Sequence, residues 1–151
     1  MSSFEEATPQ DLVAACRRLY ACIDRLDTKA ANTVGVSRND LRCLNMLAEA
    51  PAKPSKIAAE LGLTTGSVTT LLDRLEKANL AKRERDPNDR RGIIVHPTSY
   101  LFETLGPIYL GVAKEIERIA AEYSADERQA AVKHLNDASS AYEGVMALDD
   151  R

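Results

Sequence analysis

Between residues 64 and 91 the chain gathers two kinds of polar group. Hydroxyls come first, at Thr64, Thr65, Ser67, Thr69 and Thr70, with Gly66 among them. Cations follow, at Arg74, Lys77, Lys82, Arg83, Arg85, Arg90 and Arg91. Ser55 and Lys56 repeat the hydroxyl and cation pairing a short way upstream. Small hydroxyl side chains can donate or accept, and the Thr methyl adds an apolar contact. None of this supports bond-breaking. It suits recognition of a polyanion whose edges carry donors, acceptors and methyl groups.

Covalent chemistry finds no support elsewhere. There are no paired carboxylates, no nucleophile elbow and no phosphate-cradling glycine loop, so an enzyme reading has nothing to stand on. His96 and His134 are isolated. Cys16, Cys22 and Cys43 form no CxxC and have no nearby His, so a metal site is not expected, and neither is a cofactor. Cys16 and Cys22 are six residues apart on one expected helix and cannot bond within it.

The elements that must position these groups are mostly helical. Thr8-Pro9-Gln10-Asp11 is a helix start, with Thr as the N-cap and Pro at the first position. Leu12, Ala15, Cys16, Leu19, Ile23 and Leu26 follow at helical spacing. Residues 27–36 read as a connector. Ser37-Arg38-Asn39-Asp40 opens a second helix, with Leu41, Leu44, Leu47 and Ala48 as its expected buried stripe. Pro54 starts a third, short helix in which Ile57, Ala58 and Leu61 face inward, and Gly62 supplies the left-handed turn after it. Thr64 or Thr65 caps the next helix. There Val68, Leu71, Leu72 and Leu75 commit one face to the core, and the hydroxyls and Arg74 occupy the other.

A hairpin comes next. Asn79 is expected to take the left-handed position that ends the helix. Residues 80–85 and 93–97 are strand-like, joined by a loop from Asp86 to Gly92 whose tip is expected to carry Arg90 and Arg91. Helix, tight turn, helix and basic hairpin together are the layout of a winged helix-turn-helix, which places one helix in a DNA groove.

The stretch resembles the MarR (multiple antibiotic resistance regulator) family. Its pattern runs from the recognition helix through GL-x-x-R, then D-x-R in the wing, then V-x-L-T. This chain has Asn79-Leu80-Ala81-Lys82-Arg83, Asp89-Arg90-Arg91 and Val95-His96-Pro97-Thr98, with Gly35-Val36-Ser37 matching upstream. Pro97 stands where the family has Leu, and Thr70 where it often has Arg. The resemblance implies that Arg91 is the arginine entering the minor groove, and that Asp89 and Arg83 support the wing. It implies a homodimer, a small-molecule effector held in a crevice lined by the first, second and fifth helices, and repression relieved by ligand or oxidant. Some relatives sense peroxide through a first-helix cysteine, and Cys16-Arg17-Arg18-Leu19-Tyr20 is similar in placement. Cys16 is therefore the candidate redox sensor, with a buried structural role as the plainer alternative.

Charge follows the same division. The chain is −3 overall, yet residues 53–98 hold nine Lys and Arg against six Asp and Glu. Residues 99–151 hold five against ten. Screening acts over about 8 Å, so the local field decides what meets a phosphate. No apolar run approaches the roughly 18 residues of a membrane helix, and MSSFEEATPQ lacks a signal-peptide core, so a cytoplasmic protein without membrane contact is expected.

Residues 99–123 form a long apolar-sided helix, expected to kink at Gly106-Pro107, and Ser124-Ala125-Asp126-Glu127 opens a last one. The expected fold is mainly α with a small β-wing. Residues 37–98 form the DNA-binding lobe, and residues 1–36 and 99–151 a helical dimerisation region. The expected function is a DNA-binding regulator acting on an inverted-repeat operator. The competing readings are a winged-helix protein-interaction module that does not bind DNA, and a metal-responsive regulator whose scattered Cys and His would be poor ligands.

Overall fold

Local capping sets the helix starts. In a computed structural model that describes residues 7–149, the side chains of residues 90, 148 and 149 excepted, Thr8 caps α1 (Pro9–Val34). Its hydroxyl accepts the Asp11 N–H, and Asp11 accepts the Thr8 N–H at 2.8 Å. Ser37 and Asp40 repeat this box at the start of α2 (Arg38–Glu49). Reciprocal caps of this kind satisfy two helix donors that would otherwise lack partners.

α1 is longer than the sequence reading had it. Residues 27–34 are helical rather than a connector, and the helix stops only at Gly35, φ 68°. The reason is packing: Ala30 and Ala31 are buried where α1 meets α2, small enough for close approach and strong in helix propensity. On α2 the buried stripe is Leu41, Cys43, Leu44 and Leu47, with Cys43 inside and Ala48 exposed instead of buried.

α3 (Pro54–Leu61) begins on Pro54 and ends at Gly62, whose φ of 64° lets the Leu63 N–H reach back to the Ala58 carbonyl at 2.9 Å. Ile57 is fully buried, and Ala58 and Leu61 are half-buried. α4 (Thr65–Lys77) follows, capped by Thr64. Asn79 takes φ 56°, the only positive φ off glycine among the described residues, and turns the chain into β1 (Ala81–Asp86). β2 (Asp89–Pro97) pairs antiparallel with it. Ala52 adds a one-residue third strand, exchanging two backbone hydrogen bonds with Val95 at 2.9 and 3.1 Å.

Thr98 closes this lobe. Its hydroxyl donates to the Asn79 carbonyl at 2.7 Å and accepts the Leu101 N–H. α5 (Ser99–Ala121) starts there and runs on through Pro107. By compactness the chain divides inside α5, one unit ending at Ile108 and the other running from Tyr109. The second unit holds the rest of α5 and α6 (Ala125–Asp149), whose start is capped by the expected Ser124 and Glu127 pair. Its apolar side chains, Val132, Leu135, Tyr142 and Val145 among them, are exposed. None of the described helices is long and apolar enough to cross a membrane.

The core sits where α2, α3, α4 and the wing meet, and Leu47 is at its centre with no exposed surface. Leu47→Ala is expected to cost about 2–5 kcal/mol, read as a lower urea midpoint at unchanged slope. A loss below 1 kcal/mol would show that this position is not packed as described.

Candidate nucleic-acid interface

Burial decides which face α4 presents. Val68, Leu71, Leu72 and Leu75 are each at most 2% exposed. Thr65, Gly66, Ser67, Thr69, Thr70, Asp73, Arg74 and Lys77 are all exposed on the remaining surface. The hydroxyls there are not idle. Thr64 accepts the Ser67 N–H at 3.2 Å, and the two side-chain oxygens lie 2.9 Å apart. Thr69 donates to the Thr65 carbonyl at 3.0 Å and Thr70 to that of Gly66 at 3.1 Å. A Cβ added at Gly66 would meet no protein atom within 4 Å, so packing inside the lobe does not require glycine there.

Three carboxylate clusters hold the frame, and the sequence did not announce them. Asp40, with its side chain 3% exposed, accepts the Arg74 Nη2 at 2.6 Å and Nε at 3.3 Å, as well as the Ser37 N–H. The Asp40 hydrogen bond raises the Arg74 pKa further. Arg74, read from sequence as a DNA contact, thus has one edge of its guanidinium committed to α2. Glu76 accepts the Arg83 backbone N–H at 2.7 Å and pairs with its guanidinium. That guanidinium also meets Asp73 at 2.8 Å and the Thr69 carbonyl at 3.1 Å. One wing residue therefore grips α4 at three places. Lys53 pairs with the nearly buried Asp86 at 2.8 Å. This pairing, helped by the Asn88 N–H, holds the Asp86 carboxyl below the usual carboxylate range and raises Lys53.

The wing tip differs from the sequence reading. The turn is Pro87-Asn88, and Asp89, Arg90 and Arg91 begin β2 instead of capping the loop. Asp86 accepts the Asn88 N–H at 2.9 Å and Asp89 the Arg91 N–H at 3.0 Å, so side-chain bonds close the turn early. Arg85 pairs with Ile93 while Asp86 pairs with Asp89, which makes residues 90–92 a bulge in β2. Gly92 is needed there, because a Cβ would stand 2.9 Å from Asp89 Oδ2 and 3.0 Å from the Asp86 Cβ. The Arg90 side chain lies outside the described residues. Arg85 and Arg91 are exposed and make no ion pair among the described residues, and the same holds for Lys77 and for Lys56 on α3. Ser55 is exposed beside Lys56.

A cleft of about 310 Å³ lies beside α4, lined by Ser37, Asn39, Leu63, Ser67, Thr70 and Arg74. Cys16 is half-buried on α1. Cys22 is exposed and accepts an Arg25 N–H at 3.2 Å. Burial, with the Asp40 charge, pushes the Cys43 thiol up to about 12, so it stays protonated at neutral pH. Pro97 ends β2 half-buried, and the neighbouring Thr98 N–H makes the bond to the Leu80 carbonyl.

Comparison with known proteins places this arrangement. The MarR family model matches residues 34–92, which take in α2, α3, α4, β1 and the bulge. The HTH-type transcriptional regulator YcgE of Bacillus subtilis is 35% identical over 99 residues, 65% of this chain and 64% of that protein. The chain thus spans just under two thirds of that relative's length. The crystal structure of RV1404 from Mycobacterium tuberculosis superposes with a TM-score of 0.69 at 21% identity, covering 90% of this chain and 95% of that one. FabT of Streptococcus pneumoniae, solved in complex with DNA, superposes with a TM-score of 0.66 at 24% identity, covering 89% and 99%. Both likenesses are of fold.

Asp86 supplies a pH test. Its lowered pKa means that its contribution to stability is present above the unfolded carboxylate value of about 3.9 and is lost as pH falls through the folded value. Asp86→Asn removes that contribution, so between pH 5 and pH 2 its thermal midpoint should fall less than that of the parent. Parallel curves would show that the Lys53–Asp86 contact does not stabilise the wing.

Proposed function

We propose that this chain, of the MarR family over residues 34–92, binds double-stranded DNA as a homodimer and regulates transcription from an inverted-repeat operator. One observation carries the reading. The bare hydroxyl face of α4 and the unpaired cations Arg85 and Arg91 belong to one frame, because Arg83 ties the wing to that helix. α4 enters the major groove with its N-terminal residues Thr64, Thr65, Gly66, Ser67, Thr69 and Thr70 at the base edges. Ser55, Lys56, Lys77 and the free edge of Arg74 meet phosphates. Arg91 reaches the electronegative minor groove alongside, and Asp89 orders that stretch of backbone. FabT, which shares the fold, was solved in complex with DNA, and this supports DNA as the partner.

Residues 1–36 and 99–151 form the dimerisation region in this reading. Leu12, Leu19 and Ile23 on α1 are 45%, 46% and 48% exposed, an apolar stripe suited to a second copy. A two-fold pair sets two α4 helices about 34 Å apart, one turn of DNA. Regulation is by repression, relieved when a small ligand or an oxidant favours another spacing of the two helices, to the extent of its differential affinity. Cys16 is the candidate thiol for an oxidant. The protein acts in the cytoplasm.

The test is fluorescence anisotropy on duplexes from the chain's own upstream DNA, over a salt series. Arg91→Ala should weaken binding at least ten-fold and reduce the salt slope by about 1. Gly66→Ala should leave the thermal midpoint unchanged or slightly higher, by about 0.5–1 kcal/mol of helix propensity, yet weaken DNA binding. If no duplex binds at low salt, the protein-interaction module replaces this reading.

A further inference from the structure

We propose that the middle of α4 reads A·T pairs and excludes guanine, through the methyl groups and acceptor-only hydroxyls of Thr69 and Thr70. The inference rests on the DNA reading above and deepens it. A threonine hydroxyl has one proton to give. Thr69 gives its proton to the Thr65 carbonyl and Thr70 gives its own to that of Gly66. What these exposed side chains offer outward is an oxygen that can only accept, together with a methyl group. In the major groove adenine presents an amino donor at N6, thymine a methyl at C5, cytosine an amino donor at N4 but no methyl, and guanine only acceptors at N7 and O6. An A·T pair satisfies both offerings. A G·C pair can answer the oxygen only through its cytosine, gives the threonine methyl no partner, and where guanine lies beneath the side chain sets acceptors against an oxygen with no proton left.

The usual guanine reader is a paired arginine edge, and α4 does not offer it freely. Arg74 is the only arginine of α4, and its Nε and Nη2 edge is held by Asp40, which draws the guanidinium against the lobe. Lys77 is the last residue of the helix, two turns beyond Thr70, where phosphates are the nearer partners. The open hydroxyl pair, Thr64 and Ser67, lies a turn earlier and is outside the claim.

The full chain selects its sites from random duplexes, and each thymine of the selected half-site is then replaced in turn by deoxyuridine, which lacks the methyl. At the pairs beneath Thr69 and Thr70 the replacement should weaken binding about four-fold per methyl, and exchange to G·C about ten-fold per pair. The deoxyuridine penalty should vanish in the Thr69→Ser/Thr70→Ser double variant and persist in Thr69→Val, which keeps its methyl. Guanine selected at those pairs, no penalty for deoxyuridine, or a penalty unchanged in the Ser variant each overturns the proposal while leaving DNA binding intact. Selection of no duplex at all overturns the underlying reading and this one with it.

Discussion

The constraint on which everything else depends is the burial of one side of α4. Val68, Leu71, Leu72 and Leu75 have no alternative place in a lobe this small. Turning the helix to hide its hydroxyls would expose them, at about 1.5–3 kcal/mol for each large apolar side chain. The presented face is therefore fixed by the hidden one. Helices α2 and α3 and the strand pair form the box that receives that hidden side.

Polar clusters then fix what hydrophobic packing leaves free. Packing alone allows a hairpin to swing, since only its base meets the core. Arg83 removes that freedom by joining β1 to Thr69, Asp73 and Glu76, and Lys53 does the same from the α2–α3 connection by holding Asp86. Asp40 ties α4 to the start of α2 through Arg74. The basic residues thus divide into two sets. Lys53, Arg74 and Arg83 are held in ion pairs inside the lobe, while Lys56, Lys77, Arg85 and Arg91 make none among the described residues. A net charge of −3 is compatible with that division, because the unpaired cations are local.

Much of this was legible in the residues, and the exceptions have a common cause. Thr8, Ser37 and Ser124 could be read as caps because a cap and its partner are three residues apart. Asn79 could be read as left-handed because few other side chains tolerate that backbone. The exposed face of α4 followed from a 3.6-residue period. By contrast, Asp40 and Arg74 are 34 residues apart, and nothing local says that one holds the other. The extension of α1 through Ala30 and Ala31 depends on α2 being there to cover them. Pro87 and Gly92 suggest a longer loop with Arg90 and Arg91 at its tip, whereas Asp86 and Asp89 close the turn earlier with their own side chains.

Arg83 joins the wing to α4, so in the proposed complex the two elements would meet DNA as one unit. The decisive experiment is footprinting of one bound duplex with the parent and with Arg83→Met, each first shown to be folded. The expected result is that Arg83→Met keeps major-groove protection under α4 and loses the flanking minor-groove protection left by the wing. Minor-groove protection identical to the parent would mean that the wing finds its groove without being held to the helix by Arg83.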